Sequence, residues 1–181
     1  QLWTGRLICF NLPLILVLKI QVLVGVVRPF NSMKELKILE FPDARLRKKA
    51  SKIKKISSEV EKLAGNMAYT MYSNDGIGLA ATQVNQHKRM IVMDTSEERD
   101  DLYIMLNPSI IDRTGKTRTS EACLSVPGMR IPVTRSELIV VEYTDINGVE
   151  VKQEFNDIDS YCVQHEMDHL DGKLIIDFIT N

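Results

Sequence analysis

Cysteine and histidine are scarce in this chain, whose 181 residues contain three of each and a single tryptophan. Cys9, Cys123 and Cys162 are too few and too scattered for a disulfide framework, which indicates a reducing compartment. The net charge of -1 gives no general reason to expect a nucleic-acid partner. Repeats, low-complexity tracts and Gly/Ser linkers are also lacking, so the chain after residue 32 is predicted to form one domain.

Acidic residues are absent from residues 1–32, a segment whose apolar part, residues 7–27, carries only one charge, Lys19. Its length would allow it to cross a bilayer, but a lysine near the middle costs about 2.5–3.5 kcal/mol. Because composition changes at Met33, we interpret residues 1–32 as upstream sequence, with a targeting segment or an anchor as alternatives. Residues 33–181 then form a single domain. The expected location is cytoplasmic, or organellar or membrane-attached if residues 1–32 are genuine.

Hydrophobic periodicity predicts two helices separated by several strands. The first helix covers residues 59–73, with Ser58 and Glu61 as a capping box, and the second runs from about Asp157 to Gly172. Alternating or continuous apolar runs predict strands at residues 89–94, 103–111 and 136–145, and an Asn-Gly turn predicts a hairpin within residues 146–155. This order favours an α+β fold with mostly antiparallel strands.

Two of the three histidines, His165 and His169, stand four residues apart with Glu166 between them. Residues at this spacing share one helix face, so both imidazoles can bind one metal ion while Glu166 acts as a general base. A catalytic site needs a third protein ligand. Cys123 is one candidate for that ligand, and Asp171 and Asp177 are conceivable alternatives.

Three segments in this order resemble the peptide deformylase family: "GIGLAATQ" at residues 76–83, "EACLS" at 121–125 and "QHEMDHLDG" at 164–172. The resemblance implies antiparallel strands around a central metal-binding HExxH helix. It also implies an enzyme that uses metal-activated water to remove the N-formyl group from the N-terminal methionine of newly synthesised polypeptides, releasing formate. N-formyl-methionyl nascent peptides are therefore the expected partners.

The resemblance also assigns roles to individual residues. Cys123, His165 and His169 correspond to the ligands of one divalent metal, with ferrous iron expected and zinc, nickel or cobalt as alternatives. Glu166 corresponds to the catalytic acid/base, while the side chain of Gln83 and the backbone N–H of Leu124 hold the oxyanion. An ion pair of Glu121 with Arg135 is expected to support the site. The substrate-binding positions are Ile77, Gly78, Glu121, Ala122, Arg130, Ile158, Tyr161 and Cys162.

Two departures from the family pattern stand out. Ala122 occupies a position where the family usually has glycine, and this alanine either strains the backbone or narrows the substrate groove. The sequence stops at "DFITN" without the C-terminal helix that many relatives use for ribosome contact, which weakens the case for ribosome association. The basic residues 45–55 are interpreted as a solvated surface without a direct nucleic-acid site.

Two other functions stay open on the residues alone. One is a zinc endopeptidase of the HExxH type, which would need a ligand downstream of His169. The other is a non-catalytic, metal-stabilised binding protein, attached to a membrane through residues 7–27. The missing downstream ligand disfavours the endopeptidase. The presence of Glu166 and Gln83 disfavours the binding protein, because neither residue is needed to hold a metal.

Overall fold

The structure is a computed structural model, which describes residues 33–179. Two α-helices and seven strands make up most of this part of the chain. The helices are α1 (Ser58–Ser73) and α2 (Asp157–Leu170). The strands are β1 (Gly78–Ala80), β2 (Met90–Met93), β3 (Tyr103–Thr114), β4 (Thr117–Cys123), β5 (Val126–Arg135), β6 (Leu138–Thr144) and β7 (Glu150–Asn156). Single 3₁₀ turns lie at Ala44–Arg47, Ala81–Val84 and Ile175–Phe178.

The strands form two antiparallel sheets. Five of them pair in the order β1-β2-β3-β6-β7, and β4 and β5 form a separate two-stranded ribbon. The predicted α+β class with antiparallel pairing is therefore confirmed. The predicted Asn-Gly turn lies between β6 and β7, where Gly148 has a φ of +85°.

The large sheet lies between the two helices, and β2 shows this most clearly. Met90 and Val92 pack in one core cluster with Met67 of α1, whereas Ile91 and Met93 pack in another with Val163 of α2. Successive residues of a strand point to opposite faces, so a strand covered on both faces must be apolar throughout. The continuous run "MIVM" meets this requirement and holds α2 at a fixed place on the sheet.

Both helices begin and end close to the predicted residues. The predicted capping box is wrong, because Ser58 is already helical and Ser57 is the N-cap, without a side-chain hydrogen bond. Gly172 follows the C-terminal end of α2 and adopts a φ of +75°. A Cβ there would lie 2.4 Å from the carbonyl oxygen of Arg47, so the close approach of residues 44–47 also requires glycine.

The strands β1, β4 and β5 were not predicted as such. Cys123 ends β4, residues 124–125 make the turn to β5, and Pro127 lies within β5. Residues 1–32, to which the upstream, targeting and anchor interpretations apply, lie outside the described residues. Neither helix within residues 33–179 has the length and apolar character needed to cross a membrane.

Candidate active site

The C-terminal half of α2 brings its two histidines to one point beside the end of β4. His165 Nε2 lies 3.2 Å from His169 Nε2, and Cys123 Sγ lies 3.1 Å from the same His169 atom. The hydroxyl of Thr82 donates to the backbone oxygen of His169 at 3.0 Å, which ties this turn of the helix to the Ala81–Val84 turn. The structure thus brings together three side chains that are separated by up to 46 residues in sequence.

These three atoms fit a single metal ion. Nitrogen and sulfur ligands about 2.0–2.3 Å from a shared tetrahedral ion lie roughly 3.3–3.6 Å apart, close to the spacings found. Burial holds the pKa of His169 well below its usual range, so its imidazole is neutral and can act as a ligand. His165 Nδ1 is 2.8 Å from Glu121 Oε2, which leaves its Nε2 facing the other two ligand atoms.

A chain of charged side chains supports His165 from the β4-β5 ribbon. Arg135 donates to both carboxylate oxygens of Glu121, at 2.7 and 2.9 Å, and to Asp168 at 2.6 Å. Burial alone would raise the pKa of Glu121, but the hydrogen bonds from Arg135 and His165 lower it to about 2. Glu121 is therefore a carboxylate that accepts from His165, and Asp168, absent from the sequence predictions, is a second anchor for Arg135.

Glu166 occupies the buried side of the site. Burial raises the pKa of its carboxyl to about 7, where a group can both accept and return a proton near neutral pH. Its Oε2 atom is buried and has no hydrogen-bond partner among the described residues. An unpartnered buried oxygen is costly unless a ligand or a water contacts it. The Oε2 atom of Glu166 is therefore available to a ligand or a water molecule at this point of the site.

Gln83 approaches the site from the other side. Its Oε1 accepts from the backbone N–H of Ala80 at 2.8 Å, which orients the amide nitrogen outward. That nitrogen lies 3.1 Å from Ser125 Oγ and 3.7 Å from Cys123 Sγ. Gln83 is buried, and its side chain therefore presents an N–H donor next to the three clustered ligand atoms.

A cavity of about 530 Å³ opens beside these groups. Cys162 is buried in it, whereas Ile158 is 52% exposed at its edge. Asp75 and Gly76, in the turn after α1, and Thr119 and Ser120, on β4, also line the cavity. The sequence predictions did not include them as site residues, because no spacing or motif connects them to the chemistry. The predicted positions that line it are Gln83, Leu124, Ile77, Gly78, Glu121, Ala122, Arg130, Ile158, Tyr161, Cys162, Cys123, His165 and Glu166.

The strand β1 forms one edge of the large sheet next to this cavity. The carbonyl oxygen of Ile77 accepts from the backbone N–H of Asp94 at 2.9 Å, so this group already points towards β2. Antiparallel pairing alternates, and the polar backbone groups of Gly78 therefore point to the open edge. A Cβ on Gly78 would lie 2.5 Å from Glu166 Oε1, so only glycine lets β1 approach the Glu166 carboxyl this closely.

Comparisons with known proteins agree with this geometry. A sequence model of the polypeptide deformylase family matches residues 35–181. The peptide deformylase of Stenotrophomonas maltophilia is 50% identical over 150 residues, which cover 80% of this chain and 87% of that protein. The peptide deformylase of Tolumonas auensis is 49% identical over 148 residues, covering 82% and 89%.

Solved structures give the same result. A crystal structure of a peptide deformylase from Legionella pneumophila superimposes with a TM-score of 0.79 and 35% identity, covering 81% of this chain and 86% of that one. The Ehrlichia chaffeensis enzyme in complex with actinonin gives 0.79 and 37%, covering 81% and 90%. Both the fold and the sequence similarity extend over most of the chain, so the protein belongs to the polypeptide deformylase family.

Proposed function

We propose that this chain removes the N-formyl group from the N-terminal methionine of newly synthesised polypeptides and releases formate. The observation that carries the proposal is the meeting of three ligand atoms, from Cys123, His165 and His169, next to the unpartnered Oε2 of Glu166. This arrangement combines a metal site with a free proton acceptor at the wall of a cavity. His165, Glu166 and His169 all lie on α2, which would then be the central metal-binding helix of a domain formed by residues 33–181.

Cys123, His165 and His169 would hold one divalent metal. Two imidazoles and a thiolate suit iron, zinc, cobalt or nickel, and we propose ferrous iron as the working metal. When bound, the metal supplies a Lewis acid that polarises the formyl carbonyl and lowers the pKa of a water molecule. Glu121 and Arg135 orient His165 for this role, as their hydrogen bonds indicate.

The residues of the chain divide the remaining chemistry. Glu166 accepts a proton as the water oxygen attacks the formyl carbon, and a pKa of about 7 suits this step. The side-chain N–H of Gln83 and the backbone N–H of Leu124 donate to the oxygen on which negative charge develops. The carbon–nitrogen bond then breaks, and Glu166 returns the proton to the departing amine. The products are formate and a peptide with a free methionine amino group.

The cavity accounts for the proposed substrate class. Ile77, Ile158, Tyr161 and Cys162 provide an apolar wall for the methionine side chain, and Arg130 lies where the rest of the peptide would leave. The backbone groups of Gly78 on β1 and of Ala122 on β4 can pair with an extended peptide that enters between them. A formyl carbon carries only hydrogen besides its oxygen and nitrogen, so a narrow site would exclude acetyl and longer acyl groups.

Formate release from N-formyl-Met-Ala-Ser tests the proposal directly. The full chain, prepared anaerobically with ferrous iron, should release formate, and Glu166→Gln should lose at least about 100-fold of this activity while still binding metal. N-acetyl-Met-Ala-Ser is the matched substrate control. A folded, metal-loaded chain that releases no formate, or that cleaves the acetyl peptide equally well, would contradict the proposed function.

Three further measurements on the same protein test the other candidate functions and partners. Cys123→Ala should lose most of its metal affinity, whereas an endopeptidase with a different third ligand would keep it. Cleavage of an internal peptide bond would also favour an endopeptidase. We propose cytoplasmic nascent chains as the substrates, and co-sedimentation of the full chain with ribosomes tests whether a ribosome is also a partner.

A further inference from the structure

The segment from Gly76 to Gly78 leads into the edge strand β1 and lines the cavity. Two of its carbonyl oxygens accept hydrogen bonds from residues outside the cavity, and Cys162 Sγ lies 3.6 Å from the Ile77 oxygen on the cavity side. Arg99 donates from Nη2 to the Gly76 oxygen at 2.6 Å, and the backbone N–H of Asp94 donates to the Ile77 oxygen at 2.9 Å. Both partners lie in the stretch that follows β2.

Arg99 is itself held in one orientation. Its guanidinium carbon lies 4.9 Å from the centre of the Tyr72 ring, within the range of a cation–π interaction. Its backbone has a φ of +55°, a conformation that few non-glycine residues adopt without compensating contacts. The loop that carries Arg99 is therefore shaped so that the guanidinium reaches the Gly76 carbonyl.

Asp94 and Tyr72 complete the same network behind the sheet edge. Tyr72 donates its hydroxyl to Asp94 Oδ2 at 2.5 Å, and the other carboxylate oxygen of Asp94 accepts from the backbone and the hydroxyl of Ser96. The side chain of Asp94 is fully buried, so this carboxylate depends on these donors. The network thus connects α1, β2 and the loop of Arg99 to two consecutive carbonyls of the cavity edge.

We propose that Arg99 is a positioning residue, which, together with Tyr72 and Asp94, holds residues 76–78 in the register that a formyl-methionyl peptide needs for backbone pairing. Neither Arg99 nor Tyr72 lines the cavity, so they act through the Gly76 and Ile77 carbonyls and not through the reacting atoms. The inference rests on the proposed function, because it names the edge that receives the substrate of that reaction. Loss of this positioning weakens ground-state and transition-state binding alike.

The test compares Arg99→Met, Arg99→Lys and Tyr72→Phe in the full, metal-loaded chain. For Arg99→Met we expect KM for N-formyl-Met-Ala-Ser to rise about tenfold, because one hydrogen bond from a charged donor is lost. The kcat of the variant should stay within about twofold of the parental value. Lysine should restore part of the loss, and Tyr72→Phe should raise KM in the same direction. Arg45→Met is the matched control. Arg45 contacts Asp43 at 2.6 Å, as short as the contact of Arg99 with the Gly76 oxygen, but neither Arg45 nor Asp43 lines the cavity.

Hydrogen exchange provides a readout that does not depend on catalysis. The amide hydrogens of residues 76–80 should exchange faster in Arg99→Met and Tyr72→Phe than in the parent, and at the parental rate in Arg45→Met. An unchanged KM, a fall in kcat without a rise in KM, or unchanged exchange at residues 76–80 would overturn the proposal. Failure of the proposed function would appear separately. The parent would then release no formate, while the exchange rates of the Arg99→Met and Tyr72→Phe variants would still differ from those of the parent.

Discussion

Gly78 brings the β1 backbone close to the Glu166 carboxyl, the proposed acid/base. A Cβ at this position would lie 2.5 Å from Glu166 Oε1 and 2.7 Å from Cys162 Sγ, distances that real side-chain contacts do not reach. Either the carboxyl or the strand must therefore move when a methyl group is added. Displacements of this size at a reacting group are expensive, because catalysis depends on near-attack geometry.

We expect Gly78→Ala to lower kcat/KM for formate release by about 100-fold while the protein remains folded. Gly65→Ala in α1 is the control, since a Cβ there would meet only Met33 Cε, at 3.5 Å. This helix substitution should keep full activity and raise the free energy of unfolding by about 0.5–1 kcal/mol. Steady-state kinetics and thermal unfolding measure both effects, and equal activities of the two variants would contradict the prediction.

Ala122 lies in β4 at the register shift between Glu121 and Cys123, and it is not among the described residues with positive φ. The strain alternative raised by the sequence does not apply, and the methyl group simply projects at the exposed cavity wall. Ala122→Gly should therefore change KM among formyl peptides with different second residues and leave kcat nearly constant. The substitution should lower the free energy of unfolding by no more than about 1 kcal/mol. Identical KM values across such a peptide series would contradict this expectation.

At the scale of elements, Glu121 joins β4 to α2 through His165 and to β5 through Arg135. We expect Glu121→Gln to weaken metal affinity by about 10–100-fold, because the support of a ligating histidine is lost. Competition with a chromophoric chelator measures the affinity. Glu154→Gln, an exposed glutamate of β7, should bind metal as the parent does. A Glu121→Gln protein with parental affinity would show that the ion pair has no role in the site.

The Ile175–Phe178 turn is tied to the Ala44–Arg47 turn by Asp177, which accepts from Arg47 at 2.5 and 2.8 Å. The hydrogen bond from Arg47 lowers the pKa of Asp177, so the folded state favours its carboxylate. The stabilisation is complete above the unfolded pKa of about 3.9 and is lost as the pH falls through the lower folded value.

Asp177→Asn should therefore cost up to about 1 kcal/mol of unfolding free energy at neutral pH, as expected for a partly exposed pair. The difference from the parent should shrink as the pH falls below about 3.9. Denaturant unfolding across pH 7 to 3 measures it, with Glu154→Gln as the control. A difference that stays constant down to the lowest pH would contradict the assignment.

At the scale of the whole molecule, a metal ion held by Cys123, His165 and His169 would connect α2 to the end of β4. Metal bound at a thousand times its Kd adds about 4 kcal/mol to the free energy of unfolding, or roughly 10 °C in Tm. Chelation should lower the Tm by about this amount, and ferrous or zinc ions should restore it. His165→Ala should melt at one temperature with or without chelator. An unchanged Tm of the parent protein in the presence of the chelator would contradict the proposed metal site.

Much of the site could be predicted because it rests on local spacing. The two histidines four residues apart, with Glu166 between them, need only a helix to share a face, and the helix was evident from the residues. The two helices and the strand β2 could also be predicted, because hydrophobic periodicity and a continuous apolar run are local patterns. The strands β1 and β4 escaped prediction because a three-residue edge and a ribbon of alternating polar residues carry little hydrophobic signal.

The sequence by itself determined the α+β class, the two helices, the resemblance to the family and the residue types available for chemistry. Tertiary structure alone decided that Cys123 lies beside the histidines, that Glu166 keeps an unpartnered oxygen and that Arg99 reaches the Gly76 carbonyl. The physical reason is sequence separation. Local hydrogen bonds and periodic burial are encoded within a few residues, whereas these contacts exist only after the sheet, the ribbon and the helices have packed together.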